Sequence, residues 1–246
     1  MPGYGDFARF YDGLMEDARY EERRDYLLEL CRRLDHQWGR TLDLACGTGT
    51  LTRLLRASGV DVFGADGSVD MLSEAYLRAA KEGEPILFVC QQMQELELPE
   101  MIDTCICTLD SLNHLTDEND VRETFRRVAA YLNKGGLFIF DVNSVYKHRE
   151  VLADNAFIAE NESVFCAWQN TLLENDTVRI DLDFFEEEDG VYQRFSESFC
   201  ERAYSDAVLR KWLEEAGFSV SAVYGDLSFE TPEPDEQRFV YIAKKE

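Results

Sequence analysis

The sequence is short of the residues that mark metal and redox sites. Its three histidines, His36, His114 and His148, show no metal-ligand spacing, and its seven cysteines form no C-x-x-C pair. No bound metal is therefore expected. The cysteine count is odd, and Cys105 and Cys107 lie inside apolar, strand-like runs. The thiols thus read as small buried apolar groups in a reducing compartment. The first six residues supply neither a basic n-region nor an apolar h-region, so no secretory signal is expected. No apolar run approaches the ~20 residues of a membrane span, and no internal repeat is visible. These absences give the expectation of a cytoplasmic protein without membrane contact.

Basic charge is scarce as well. Against 49 Asp and Glu there are 25 Lys and Arg, a formal net charge of -24. No run of Lys or Arg interrupts that balance. Such a surface repels phosphate backbones, so free nucleic acid is not an expected partner. What is abundant is apolar: 45% of the chain, with an aromatic share of 12%. A chain of 246 residues can bury one large core, or a core plus an inserted subdomain.

The stretch from Thr41 to Thr50, TLDLACGTGT, organises the rest. Thr41 to Ala45 reads as a short buried strand. Gly47 and Gly49 permit a tight turn and close approach of the backbone to a ligand. Leu51, Leu54 and Leu55 then recur at helical spacing, with Gly59 as a stop. Strand, glycine loop and helix N-terminus make a nucleotide-type site at the carboxyl end of a parallel strand. The dinucleotide fingerprint G-x-G-x-x-G/A is incomplete, because Thr52 stands at its third small position. Asp43, just before the loop, also disfavours a pyrophosphate. Both residues argue against a nicotinamide-dependent oxidoreductase. An acid there suits a ligand with an ammonium group.

The segment resembles motif I, D-x-x-x-G-x-G, of the class I S-adenosylmethionine (SAM)-dependent methyltransferases. A second resemblance supports it. Phe7 to Met15, FARFYDGLM, is similar to the F-A-x-x-Y-D-x-L-M opening of a group of small bacterial methyltransferases. There the helix lies over the cofactor and the tyrosine, here Tyr11, reaches its methionine end. Arg23 departs from that group, which has a tryptophan at this place.

Further elements follow in the order such a fold needs. Residues 7–34 read as helical. Val60 to Asp66 is a second strand ending in an acid able to accept hydrogen bonds from both ribose hydroxyls. Ser68 is a candidate N-cap for a helix through Met71, Leu72, Ala75 and Ala79 to Gly83. Ile86 to Cys90 is a third strand. Gln92 follows where the family usually has an adenine-binding acid, and its side-chain carbonyl can accept the same bond. Ile102 to Leu109 is the fourth strand, with Asp110, Asn113 and His114 just beyond it, where a doubly wound sheet keeps the reactive part of a ligand. Residues 120–132 read as an amphipathic helix. Leu132 to Gly136 resembles the family's L-K-P-G-G turn and precedes a fifth strand, Leu137 to Val142.

The pattern then becomes antiparallel. Val164 to Asn170, Val178 to Phe185 and Val191 to Phe199 read as three strands, with Asp189-Gly190 as a hairpin turn. Afterwards a helix through Val208, Leu209, Trp212 and Leu213 and two strands, Phe218 to Tyr224 and Phe239 to Ala243, close the chain. The expected fold is α/β: a doubly wound, mostly parallel seven-stranded sheet with an antiparallel β insertion. The expected division is a SAM-binding domain of residues 1–143 and 205–246 and a substrate lid of residues 144–204. On the lid, Trp168, Arg179, Arg194, Arg202 and Tyr204 are the residues able to contact a polar or aromatic acceptor, with packing the expected role of Trp168. Phe199 stands where the resembling group often has a histidine.

The resemblance implies a SAM-dependent methyltransferase. Its cofactor set would be Tyr11, Asp43, Ala45, Gly47, Thr48, Gly49, Asp66, Gly67, Met71, Gln92, Met93, Leu109, Asp110 and Asn113. His114, Tyr204 and Arg202 are candidates for a role in the chemistry. The expected acceptor is a small molecule and the expected state a monomer or homodimer. A SAM- or S-adenosylhomocysteine-binding protein without turnover, and a methyltransferase acting on tRNA or protein, remain as alternatives.

Overall fold

The structure is a computed structural model that describes residues 18–83, 85–160, 164–188 and 190–246. The FARFYDGLM segment with Tyr11, and Asp189 of the hairpin turn, lie outside the described residues.

The chain alternates helix and strand as far as residue 143, except that only a single 3-10 turn, Met93–Glu95, separates β3 from β4. Its elements are α1 (Tyr20–Arg33), β1 (Arg40–Leu44), α2 (Thr50–Ala57), β2 (Asp61–Asp66), α3 (Val69–Glu82), β3 (Phe88–Cys90), β4 (Ile102–Cys107), α4 (Glu118–Tyr131) and β5 (Leu132–Asn143). Ser68 caps α3, its side chain accepting from the Met71 amide, and Gly83 ends that helix in the left-handed region. After β5 come β6 (Ala156–Glu160), β7 (Val164–Leu172), β8 (Thr177–Glu188) and β9 (Val191–Arg202), then α5 (Asp206–Glu215), β10 (Phe218–Gly225) and β11 (Arg238–Lys245).

Seven strands form one sheet in the order β10-β11-β5-β4-β1-β2-β3. All its pairs are parallel except the two made by β11, which runs against both β5 and β10. The strand order reverses between β1 and β4, so the loops after these two strands diverge to opposite faces and open a crevice. Alternation along β5 shows how both faces are covered. Phe138 and Phe140 pack with Phe125, Leu209, Trp212 and Leu213 of α4 and α5. Leu137 and Ile139 point the other way, toward Tyr26, Leu27 and Leu30 of α1 and Leu51 and Leu55 of α2. A strand buried on both faces needs this continuous apolar run.

The expected turn at residues 133–136 is instead the start of β5. Leu132 already pairs with Ile102, and the register slips before Thr104 pairs with Leu137. Gly135, at φ +83°, takes up the irregularity.

The insertion has four strands, not the expected three, in the order β6-β7-β8-β9 and all antiparallel. The strand missed in the sequence is β6, a five-residue edge strand whose short apolar run, Ala156 to Ala159, has residues that alternate between exposed and half-buried. Val164, Cys166, Val178, Ile180, Leu182 and Phe184 line the buried face of this small sheet together with Leu152 and Met71. Met71 belongs to the first turn of α3. The small sheet is therefore seated on the helix that follows β2, beside the carboxyl ends of the parallel strands.

Candidate functional site

The loop after β1 depends on backbone angles that most residues avoid. Ala45, Gly47 and Gly49 all have positive φ, at +58°, +54° and +71°. A Cβ on Gly49 would come within 2.9 Å of the Phe88 ring and 3.1 Å of Ala75, so that glycine is needed for packing. A Cβ on Gly47 would meet nothing within 4 Å, because it would project into the crevice.

Two buried acids hold the loop. Asp43, 2% exposed, accepts a 2.6 Å hydrogen bond from the Thr52 hydroxyl. Burial pushes its pKa up to about 7, partly opposed by that hydroxyl. Thr52, which broke the dinucleotide pattern, is thus the partner of the acid that precedes the loop. Asp66 ends β2 and accepts from the Gly47 amide and the Ser68 amide, both at 2.8 Å. Burial raises its pKa, while the two amides oppose the rise. Each Asp66 oxygen keeps a lone pair for a ligand hydroxyl. Beside it, Gln92 donates from Nε2 to the Gly67 carbonyl at 3.3 Å, leaving its own carbonyl oxygen as an acceptor. Met93 is buried and packs with the Cys107 sulfur at 3.9 Å. Thr48 is buried, with its hydroxyl 3.3 Å from that of Thr50.

The loop after β4 faces these groups. Leu109 and Asp110 are both left-handed, at φ +58° and +52°. Asp141, buried in β5, fixes them by accepting from the Leu109 amide at 2.9 Å and the Asp110 amide at 2.7 Å. Arg238 of β11 reaches Asp141 at 2.6 Å and Asp110 at 2.7 Å. Burial works against ionising Asp110, but the Arg238 guanidinium and the Lys147 ammonium hold its carboxyl below the usual range. Arg23 completes the network, 3.3 Å from Asp141 and 3.0 Å from Asp226. Its departure from the resembling group is explained: it is a buried ion-pair partner tying α1 to β5.

His114 ends a short helix, Ser111–His114. Its side chain is 30% exposed and lies 3.7 Å from Glu201. The ring centroid is 5.2 Å from that of Phe199. Burial lowers its pKa and favours the neutral ring, although Asp110 and Asp66 oppose this.

Three expected site residues are engaged by other groups of the protein. The Asn113 amide is fully used inside the protein. Its Nδ2 donates to the Asn143 and Arg202 carbonyls, and its Oδ1 accepts from the Asn143 amide. The Arg202 and Tyr204 side chains have partners within the protein. The Arg202 guanidinium donates to the Thr116 carbonyl at 3.1 Å and to Glu118 at 2.6 Å. The buried Tyr204 hydroxyl donates to the Leu115 carbonyl at 2.5 Å. Both side chains brace the chain leading into α4. On the small sheet, Arg179 pairs with Asp181, Arg194 with Asp183, and Trp168 donates to Asn170. Sequence reasoning missed Asp141, Glu201, His148 and Arg238. The one signal was Asp141, a carboxylate within the apolar run of β5.

Among the described residues no three His, Cys, Asp or Glu side chains are grouped to hold a metal ion. No helix among them is long and apolar enough to cross a membrane.

Comparison with known proteins points the same way as the geometry. Residues 41–136 match the family described as a methyltransferase domain. The chain is 35% identical over 245 residues to a putative methyltransferase from a Geobacillus species, covering 98% of this chain and 99% of that one. It is 25% identical over 251 residues to a glycine/sarcosine N-methyltransferase of Aphanothece halophytica, covering 98% and 88%. The crystal structure of a SAM-dependent methyltransferase from Clostridium acetobutylicum superposes with a TM-score of 0.90, at 33% identity and 98% coverage of both chains.

Proposed function

The chain belongs to the SAM-dependent methyltransferases, and from that membership we propose that it methylates a small-molecule amine in the crevice between the β1 and β4 loops. The observation that carries this reading is the place of His114, partly exposed on the loop after β4 that faces the glycine loop, where burial lowers its pKa and favours the neutral ring against the opposing pull of Asp110 and Asp66. An amine in water is mostly protonated and must lose a proton before its lone pair can attack a methyl carbon. A neutral imidazole near the reacting nitrogen can take that proton, and the nearby carboxylates favour the imidazolium that results. The name of the glycine/sarcosine N-methyltransferase relative agrees with an amine acceptor.

The residues fit the cofactor. When bound, SAM supplies a methyl carbon made electrophilic by its sulfonium. Asp66 would hold the ribose hydroxyls through its remaining lone pairs, and Gln92 would offer its carbonyl to the adenine amino group. The left-handed loop with Ala45, Gly47, Thr48 and Gly49 would take the methionine end, near Asp43. Gly67 and Met93 would flank the adenosine, with Leu109 and Asp110 across the crevice. Met71, packed under the small sheet, would contribute through that packing. Residues 144–204 would act as a lid on the domain of residues 1–143 and 205–246, excluding water from the transfer.

The test is methyl transfer from labelled SAM into a metabolite extract and, in parallel, into tRNA and total protein. Label recovered in a small amine supports the reading. Label recovered only in tRNA or protein overturns it.

A further inference from the structure

Glu201, the next-to-last residue of β9 and 5% exposed, has a histidine on each side of its carboxyl. His114 Nε2 lies 3.7 Å from Oε1, and His148 Nε2 lies 4.0 Å from Oε2. Asn143 donates from Nδ2 to Oε2 at 3.3 Å. Among the described residues, no lysine or arginine stands within ion-pair distance of Glu201.

The direction of this chain of groups is set at its far end. His148 is fully buried, and its Nδ1 lies 2.8 Å from the main-chain carbonyl of Asp176. A carbonyl can only accept, so Nδ1 carries the hydrogen. Burial lowers the His148 pKa and so favours the neutral ring. Its Nε2 therefore bears a lone pair, and that buried atom has no hydrogen-bond partner among the described residues. The group facing it is Glu201 Oε2, and only a protonated carboxyl can satisfy a lone pair. Burial, with the negative charge of Asp110 nearby, pushes the Glu201 pKa up to about 8. The other charges that act on it are Lys147, whose ammonium donates to Asn143 Oδ1 at 2.9 Å, and Arg238, which is paired to Asp110 and Asp141.

We propose that Glu201 is a positioning residue for His114: held protonated, it donates to His148 Nε2, accepts from the N–H at His114 Nε2, and leaves the His114 Nδ1 lone pair free to act as base. Each of the two gaps closes to hydrogen-bond length with an adjustment of about 1 Å. The polarity then runs unbroken from the Asp176 carbonyl through His148 and Glu201 to His114. The inference rests on the reading of His114 as the base, because a tautomer needs fixing only where one ring nitrogen must stay free.

Nitrogen NMR of the labelled full-length protein at neutral pH tests it, with the His114 signals assigned by their loss in His114→Gln. The expected result is hydrogen on Nε2 of His114 and on Nδ1 of His148. Glu201→Gln is the informative variant, because its amide nitrogen donates toward His148 and its carbonyl accepts from His114 as the protonated carboxyl does, losing only the bond from Asn143 Nδ2, which an NH2 group does not accept. It should keep both tautomers and move the His114 titration midpoint by well under one unit. Glu201→Leu should mix the His114 tautomers, and Glu201→Gln should restore what Glu201→Leu loses. Were Glu201 ionised, Glu201→Gln would remove a negative charge beside His114 and lower its midpoint by about one unit or more. That fall, or hydrogen on Nδ1 of His114 in the unaltered protein, overturns the proposal. Failure of the base reading looks different: His114→Gln would turn over at the normal rate while the tautomers stayed as described.

Discussion

The Thr52 hydroxyl donates to the Asp43 carboxyl across 2.6 Å of buried space, joining the first turn of α2 to the end of β1. This bond closes the base of the glycine loop. Thr52→Val keeps the shape and removes the donor. The carboxyl is left without that partner, at an expected cost of about 1–3 kcal/mol in stability. Chemical denaturation checks this. Unchanged stability would mean that the bond contributes nothing net.

The pH response of Asp43 has a definite sign. Its pKa in the folded protein is raised to about 7, above the ordinary value of about 3.9 in an unfolded chain. The unfolded state therefore ionises it first. The favourable contribution of the neutral form is complete below pH 4 and is lost as pH rises through 7. Asp43→Asn removes this titration. The difference in stability between the variant and the parent should shift in favour of the variant between pH 4 and 7. Parallel stability curves over that range would contradict the assignment.

Arg202 and Tyr204 should behave as braces. Tyr204→Phe leaves the Leu115 carbonyl without its donor and should cost about 1 kcal/mol of stability. Arg202→Ala removes contacts to Thr116 and Glu118 and should destabilise the same segment. Neither should alter the acceptor KM selectively. A large KM effect in a variant of normal thermal stability would return these residues to the acceptor site.

Asp141 carries a larger prediction. It accepts two amides from left-handed residues and faces two guanidinium groups. Asp141→Ala leaves Arg23 and Arg238 without their shared partner. The expected loss is about 3–5 kcal/mol, the usual cost of breaking a buried pair by removing one member. Asp141→Asn should recover part of it, since its carbonyl can still accept. Denaturant midpoints compare the three proteins.

These residues show where the sequence was legible. The strand, glycine loop and helix from Thr41 to Ala57 could be read because each signal is local: an apolar run, two glycines, a helical repeat. The seven-stranded sheet followed from the same alternation. Asp141, Glu201 and His148 could not be read, because their meaning lies in partners far along the chain. Asp141 looks like an interruption in an apolar strand until Arg238, on another strand, is placed beside it. Glu201 looks like one more acid in an acidic chain until two histidines close on it. Arg202 and Tyr204 were drawn to the crevice by their position at the root of the insertion. Their side chains turn instead to open carbonyls before α4.

The central claim is that the cofactor lies in the crevice lined by Asp43, Gly47 and Asp66. Calorimetric titration of SAM into the parent protein, Gly47→Val and Asp66→Ala tests it most directly. Gly47→Val would place a branched side chain in the open crevice at φ +54°, and binding should vanish. Asp66→Ala removes a carboxylate placed to accept two hydrogen bonds, and affinity should fall by on the order of 2–4 kcal/mol. Undiminished affinity in both variants, each shown to be folded, would contradict the account and place the cofactor elsewhere.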